Sequence, residues 1–336
     1  MSDIDARLAA LAPALRDEGR GLRALVHASD PAPIADLLRA RLPGLDVVTC
    51  ADYAGLDEVV GRHPPDLCLS YRFGAGYPRD ALFARDPVYV HVAGSGFDHL
   101  VPWDDSRVAV CNSSGFQSGL MADYVLATIY SFNLRLPEFA AQQTLAQWRP
   151  LTLRATAGQR ATVLGTGPNG AAIAGRLRAA ELDVTGVSRS GRDHEAFDRV
   201  LPVARLAEAL DAADHLVVSL PRTAETTGLL SAGMLQRLPA GATLVNLARG
   251  GIVDETALVA MLEGGRLRGA ALDVFETEPL PASHPLWTAP NTIITPHSAA
   301  LFEGWEIAAA ERFCANLERL ARGDALHGRV DPRRGY

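Results

Sequence analysis

Ala161-Thr-Val-Leu-Gly165-Thr-Gly167-Pro-Asn-Gly170 is the stretch on which the reading of this chain turns. A short apolar run enters a G-x-G-x-x-G loop, and the loop opens a helical run over residues 171–180. That is the strand, turn and helix setting in which such a loop cradles a dinucleotide. Gly165 would make the tight turn, Gly167 would let the backbone approach a pyrophosphate, and Gly170 would let helix and strand pack closely. Free N–H groups at the helix start would face the phosphates. Pro168 fits the first helical turn, where a missing N–H costs little. Taken alone, the same residues also suit a glycine-rich turn with no ligand.

Outward from the loop, apolar runs alternate with helical stretches. Residues 161–164, 184–187, 215–220, 243–247, 269–274 and 292–295 form one series and predict a doubly wound parallel sheet. Upstream, residues 23–28, 46–50, 66–70 and 88–93 read as strands, with a helix over 34–41, so βαβ units occur there too. Over residues 120–132, Met121, Val125, Leu126, Ile129 and Phe132 recur at helical spacing, in a helix suited to joining two domains. Residues 303–321 read as a last helix returning to the first domain, before a polar tail over 331–336. The expected fold is α/β: two doubly wound parallel-sheet domains, Rossmann-like and flavodoxin-like, with a cleft between them. Residues 1–115 plus 302–336 are assigned to substrate binding and 116–301 to the dinucleotide. A length of 336 residues suits two domains, and clefts between domains are common ligand sites.

Composition excludes other classes. The 48% hydrophobic and 21% charged content is that of a globular protein. A net charge of −7 speaks against nucleic acid, whose phosphates need a basic face. Cys50, Cys68, Cys111 and Cys314 are far apart, with no C-x-x-C pair and no histidine spacing that suggests a metal. They read as buried small hydrophobes in a reducing compartment. The N-terminus lacks an apolar signal core, and the most apolar long segment, residues 120–134, is too short for a membrane span and contains Asp123. A cytoplasmic protein that binds neither membrane nor nucleic acid is expected.

Near the end of the second strand after the glycine loop, Val184-Thr-Gly-Val-Ser-Arg-Ser190, the acidic residue that would accept from the ribose 2′-OH of NAD is absent. Ser188, Arg189 and Ser190 stand there, with Arg192 close by. NADP(H) is therefore the preferred cofactor on this reading, with NAD(H) still admitted.

Four further stretches carry chemistry: Val218-Ser-Leu-Pro-Arg-Thr-Ala-Glu-Thr-Thr227, Leu244-Val-Asn-Leu-Ala-Arg-Gly-Gly251, Ala271-Leu-Asp-Val-Phe-Glu-Thr-Glu-Pro-Leu280 and Thr295-Pro-His-Ser298. In order and spacing they closely resemble the D-isomer-specific 2-hydroxyacid dehydrogenase family. The resemblance spans nearly the whole chain, with weaker support in Val92-Ala-Gly-Ser-Gly-Phe-Asp-His-Leu100. It implies an NAD(P)-dependent enzyme that interconverts a small 2-oxo acid and its 2-hydroxy acid, of glyoxylate or hydroxypyruvate reductase type, and a homodimer. It assigns Arg249 to the substrate carboxylate and carbonyl, His297 to proton transfer and Glu278 to the histidine's carboxylate partner. The chemistry needs these types. Hydride transfer to a carbonyl carbon leaves an alkoxide, which requires a proton donor and nearby positive charge. A histidinium beside a carboxylate supplies the first, and a guanidinium matches a planar carboxylate with two parallel donors.

By the same resemblance, cofactor contacts come from Gly165, Thr166, Gly167, Pro168, Asn169, Gly170, Ser188, Arg189 and Ser190, and further on from Leu220, Pro221, Thr226, Leu247, Ala248, Asp273 and His297. Asp273 is assigned to the nicotinamide carboxamide, and the N–H groups around Gly94, Ser95 and Gly96 to the substrate carboxylate. Tyr71, Arg72 and Phe73 follow a first-domain strand and border either the substrate or ordinary loop packing. Trp148 stands where some glyoxylate and hydroxypyruvate reductases of the family place an aromatic across a dimer interface; core packing is its other reading. His91 and His99 are read as structural. Asp123 replaces a usual Glu and Asn169 a commoner Ile, and Pro168 removes a side chain that often reaches the phosphates. A phosphoglycerate dehydrogenase-like enzyme and a dinucleotide-sensing, corepressor-like binding protein are the alternative functions. A formate dehydrogenase is disfavoured, because that branch pairs its histidine with Gln where Glu278 stands.

Overall fold

The structure is a computed structural model that describes residues 2–72 and 76–333. Phe73 lies outside them. The chain divides into two compact units, residues 1–114 with 302–336 and residues 115–301.

The first unit runs α1 (Asp3–Arg16), β1 (Arg23–His27), α2 (Ala32–Arg41), β2 (Asp46–Cys50), α3 (Leu56–Arg62), β3 (Leu67–Ser70), α4 (Arg79–Phe83), β4 (Tyr89–Val92) and β5 (Ala109–Asn112). Its sheet has the order β2-β1-β3-β4-β5, all parallel. Every residue of β3 and β4 is buried, as expected of parallel strands covered on both faces. The helix α1 is absent from the sequence reading. Ser2 and Asp5 close a capping box at its start, and Ile4, Leu8, Leu11 and Leu15 make a buried stripe at helical spacing.

The second unit contains α5 (Ser118–Asn133), α6 (Leu136–Thr144), β6 (Arg160–Leu164), α7 (Pro168–Ala179), β7 (Asp183–Ser188), β8 (Arg199–Pro202), α8 (Leu206–Asp211), β9 (His215–Val218), α9 (Ala232–Leu235), β10 (Thr243–Asn246), α10 (Glu255–Glu263), β11 (Gly269–Leu272) and β12 (Thr292–Ile294). The seven strands are parallel in the order β12-β11-β10-β9-β6-β7-β8. The order reverses between β6 and β9, so the loop after β6 opens at the switch point where such sheets bind ligands. The helix expected to join the domains, α5, packs on α7 within this unit. Met121, Val125, Ile129 and Phe132 share a core with Val163, Ile173 and Leu177, and Asp123 pairs with Arg176 at 3.0 Å.

The last helix, α11 (Trp305–Arg322), returns to the first unit and lies on α1 and α2, burying Ala309, Ala310, Phe313, Cys314, Leu317 and Leu320. All four cysteines are buried free thiols. Among the described residues, no helix is long and apolar enough to cross a membrane.

Candidate active site

Three consecutive strands of the second unit deliver Arg249, Glu278 and His297. Arg249 follows β10 in a turn braced by Asn246, whose side-chain oxygen accepts from the Ala248 N–H at 3.2 Å and whose amide donates to the Arg249 carbonyl at 3.5 Å. The guanidinium itself donates to the Ala248 carbonyl at 2.8 Å. At Gly250 the backbone passes the segment that follows β11 so closely that a Cβ would sit 1.9 Å from the Phe275 oxygen. Only glycine permits this approach.

His297 follows β12 with φ +53°, a conformation disfavoured for a side chain of this size. The surroundings hold it there. Its N–H donates to the carbonyls of Asp273 and Thr295, at 2.8 and 3.0 Å. The Asp273 carboxylate accepts from the Thr295 hydroxyl at 2.5 Å, from the Ser298 N–H at 2.8 Å and from the Ala299 N–H at 3.0 Å. Tyr124 meets Thr295 at 2.9 Å. Burial pushes the Asp273 carboxyl up, and its hydrogen bonds counter part of that shift. The sequence reading gave Asp273 a cofactor contact; the structure shows its carboxylate clasping the turn that aims His297.

Glu278 Oε2 lies 2.9 Å from His297 Nδ1, and Oε1 accepts from the Phe275 N–H at 2.9 Å. Burial raises the Glu278 pKa, but the bond from His297, the bond from Phe275 and the charges of His297 and Arg249 outweigh it and hold the carboxyl below its ordinary value. An ionised Glu278 is an acceptor only, so Nδ1 carries a proton toward it and Nε2 is the ring nitrogen left to exchange one. The histidine and glutamate side chains are each about one-third exposed, at 32% and 36%, so the pair is open to a small molecule.

The glycine loop builds the other half of the unit's chemistry. Gly167 is the N-cap of α7, with no side-chain cap and open space where a Cβ would stand. This open, uncapped helix start fits a pyrophosphate. At Gly170 a Cβ would meet the Gly165 oxygen at 1.9 Å. Gly170→Ala is therefore expected to displace the turn at a cost of about 1–3 kcal/mol and to weaken dinucleotide binding. A thermal melt and a binding titration check this; wild-type values in both would show that the turn yields freely. Asn169 is bonded to Ser118 on α5, so this departure from the family pattern is used inside the unit. Leu220 flanks Gly165, Thr226 closes its loop by donating to the Pro221 carbonyl at 2.7 Å, and Leu247 and Ala248 are buried beside Arg249. Ser188 ends β7 and accepts from the Gly191 N–H at 3.1 Å, while Arg189 and Ser190 are exposed. Glu225 is held below its ordinary pKa by its bond to Thr223 first and by the charge of Arg189 last.

In the first unit, the carbonyls of Gly94 and Ser95 accept from the Ser113 N–H at 3.0 Å and the Asn112 amide at 2.6 Å. The N–H groups of Gly94, Ser95 and Gly96 have no protein acceptor among the described residues. Tyr71 is buried, donates to the Glu306 carbonyl and packs on Trp305, which commits it to packing. His91 sits between Tyr89 and Ser113 at 2.7 and 2.8 Å, and burial pushes its pKa down to about 3, so it is a neutral structural bridge. Trp148 is 97% exposed, which overturns core packing. The described residues hold no group of three or more His, Cys, Asp or Glu placed for a metal ion.

The model of the D-isomer specific 2-hydroxyacid dehydrogenase family, NAD binding domain, matches residues 126–299. Glyoxylate/hydroxypyruvate reductase A of Serratia proteamaculans strain 568 is 33% identical over 306 residues, 89% of this chain and 91% of that protein. A D-isomer specific 2-hydroxyacid dehydrogenase of Xanthobacter autotrophicus Py2, solved in complex with NADPH and MES, shares 36% identity with a TM-score of 0.80, over 94% of this chain and all of that one. An NADPH-dependent glyoxylate/hydroxypyruvate reductase of Sinorhizobium meliloti, solved with NADP and sulfate, has the same TM-score at 26% identity, over 94% of this chain and 100% of that one. The chain belongs to the D-isomer specific 2-hydroxyacid dehydrogenase family and is an NAD(P)-dependent oxidoreductase of 2-oxo and 2-hydroxy acids.

Proposed function

We propose that the chain reduces a small 2-oxo acid of glyoxylate or hydroxypyruvate type, with NADPH preferred, and that His297, Glu278 and Arg249 are its catalytic group. The observation that carries this is the 2.9 Å contact of Glu278 with His297 Nδ1, with Arg249 near enough to lower the Glu278 pKa. The nicotinamide, when bound, supplies the hydride. His297 Nε2 gives the proton to the developing alkoxide, and Glu278 stabilises the imidazolium that donates it. Arg249 binds the carboxylate and polarises the carbonyl. The start of α7 would hold the pyrophosphate; within the first unit, the N–H groups of Gly94, Ser95 and Gly96, which have no protein acceptor among the described residues, suit an anion. A substrate panel of glyoxylate, hydroxypyruvate, pyruvate and bulkier 2-oxo acids with each cofactor tests the reading. No turnover of any of them would defeat it.

The cofactor preference rests on the end of β7. An acid there would accept from a ribose 2′-OH and repel a 2′-phosphate. Ser188 removes the repulsion, and exposed Arg189 offers the fork of donors that phosphate favours. A charge-assisted bond of roughly 1.5–3 kcal/mol corresponds to an NADPH preference on the order of 10–100-fold in kcat/KM. Ser188→Asp with Arg189→Ala is expected to reverse it. Equal wild-type kcat/KM for the two cofactors would show that the loop does not discriminate.

A homodimer belongs to the same reading. Leu134, Leu136, Leu145, Trp148 and Leu153 are exposed apolar side chains in the segment around and after α6, and exposed apolar surface favours association.

A further inference from the structure

Glu255 is an acid that the proposed chemistry does not use. It opens α10 but does not cap it, since Asp254 does so by accepting from the Ala257 N–H at 2.9 Å. The Glu255 side chain is only 11% exposed, and a shielded carboxylate needs partners. It finds them in the two connections that follow α10. Oε1 accepts from the Glu276 N–H at 2.6 Å, and Oε2 faces His284 Nε2 at 3.4 Å. His284 Nδ1 accepts from the Leu286 N–H at 3.3 Å, so Nε2 is the nitrogen that carries a proton, on the side of the acid.

These contacts tie together the three connections that carry Arg249, Glu278 and His297. Glu255 stands where the connection from β10, with its Arg249 turn, ends. Glu276 lies two residues before Glu278 and next to Phe275, whose N–H holds Glu278 Oε1. His284 caps the short helical turn Pro285–Trp287, in the stretch that leads to β12 and so to His297. The close pass of Gly250 against Phe275 joins the first two connections at one point, and Glu255 joins them at a second. Charge reaches the same place. Burial pushes the Glu255 carboxyl above its ordinary value, the Glu276 N–H and the charge of His284 counter that, and the charges of Glu276 and Glu278 add to it. The charged groups facing Glu255 are therefore His284, Glu276 and Glu278, and on Glu278 in turn act His297 and Arg249.

We infer that Glu255 is a positioning residue for the Glu278 and His297 pair: its bond to the Glu276 N–H sets the backbone that presents Glu278, and its negative charge adds to the field that favours the imidazolium. The inference rests on the proposed 2-oxo acid reduction and adds a residue that acts through Glu278. His284, on the second carboxylate oxygen, keeps Glu255 turned toward the Glu278 segment. An acid that served only the start of α10 would leave the pH dependence of reduction alone, because its loss would do no more than loosen that helix.

The test is kcat across pH with NADPH and whichever of glyoxylate, hydroxypyruvate and pyruvate the wild type reduces fastest, in the wild-type full chain, Glu255→Gln, Glu255→Asp and Glu278→Gln. Glu255→Gln keeps an oxygen for the Glu276 N–H and removes the charge. Loss of a nearby negative charge disfavours the imidazolium and makes Glu278 easier to ionise, so both limbs of the profile should move toward acid, on the order of half a pH unit. Glu255→Asp keeps the charge but shortens the reach. Its limbs should stay in place while the plateau kcat falls by about 10–100-fold, the scale of a catalytic group displaced by roughly an ångström. Melting temperature and NADPH affinity report folding, and if Glu255→Gln does not fold, the Glu255→Asp profile decides alone. Limbs that stay in Glu255→Gln but move in Glu278→Gln, or a wild-type plateau in Glu255→Asp, overturn the inference and leave the pair standing. Limbs unmoved in Glu278→Gln as well would overturn the pair, and no turnover of any 2-oxo acid by the wild type would overturn the reaction, in each case with the inference.

Discussion

His297→Ala is expected to lower kcat for 2-oxo acid reduction by about 10²–10⁴-fold, the range of a lost general acid, with a far smaller change in NADPH affinity. The expectation follows from placement. His297 Nδ1 is committed to Glu278, so the proton that reaches substrate leaves from Nε2, and alanine removes it without opening the buried core around α7. Glu278→Gln separates the pair's electrostatic role from mere proximity. Glutamine can still meet Nδ1, but it brings no negative charge to stabilise the imidazolium. Reduction needs the protonated ring, and the alkaline limb of the pH profile should move toward acid. At the acid end, the wild-type pair persists until pH falls through the depressed Glu278 pKa. Stopped-flow single turnovers across pH separate chemistry from product release. An unchanged limb in Glu278→Gln would leave the glutamate as a packing residue and would count against the pair.

Much of this site was legible in the sequence, for physical reasons that differ between its parts. The glycine loop is legible because backbone geometry demands it: at Gly170 a Cβ would overlap a carbonyl, and no other residue satisfies that position. Most strands were legible as apolar runs, since both faces of a parallel sheet are covered, but β5 (Ala109–Asn112) was not read although it pairs with β4. The helix α1 was missed although Ser2 and Asp5 form a capping box, because its stripe is diluted by alanines and interrupted by Pro13. The strand β8 was missed because its four residues include Arg199 and Pro202, a composition that an edge strand tolerates and a central one does not. Other features depend on contacts far apart in sequence. Nothing local reveals that Asp273 clasps residues 295–299, or that Tyr71 is consumed by the Glu306 carbonyl. Arg72 was legible as a residue after a strand that borders either the substrate or ordinary loop packing; that its guanidinium rests over the Tyr53 ring emerges only from the packing of the strand ends.

Arg249→Lys is expected to remain a poor enzyme although the charge is kept, with kcat lower by about 10²–10³-fold, as for loss of one preorganised donor to a developing oxyanion, and with a raised KM. The guanidinium has a fixed plane. One of its terminal nitrogens is anchored to the Ala248 carbonyl at 2.8 Å, and the turn beneath it is braced by Asn246 and by the contact of Gly250 with Phe275. An ammonium has no second arm, so satisfying the Ala248 carbonyl would draw its charge away from substrate, and reaching the substrate would leave that carbonyl unpaired. Both costs fall on the transition state, where oxygen charge is greatest, and the first also falls on the bound ground state. Lower kcat and higher KM should therefore appear together. The charge of Arg249 also contributes to holding the Glu278 carboxyl down, and lysine preserves that part, so the pH limb assigned to the histidine pair should stay in place in Arg249→Lys while moving in Glu278→Gln. Wild-type kcat and KM in Arg249→Lys would remove the arginine from the chemistry, and a shifted pH limb would instead make it part of the proton-transfer pair.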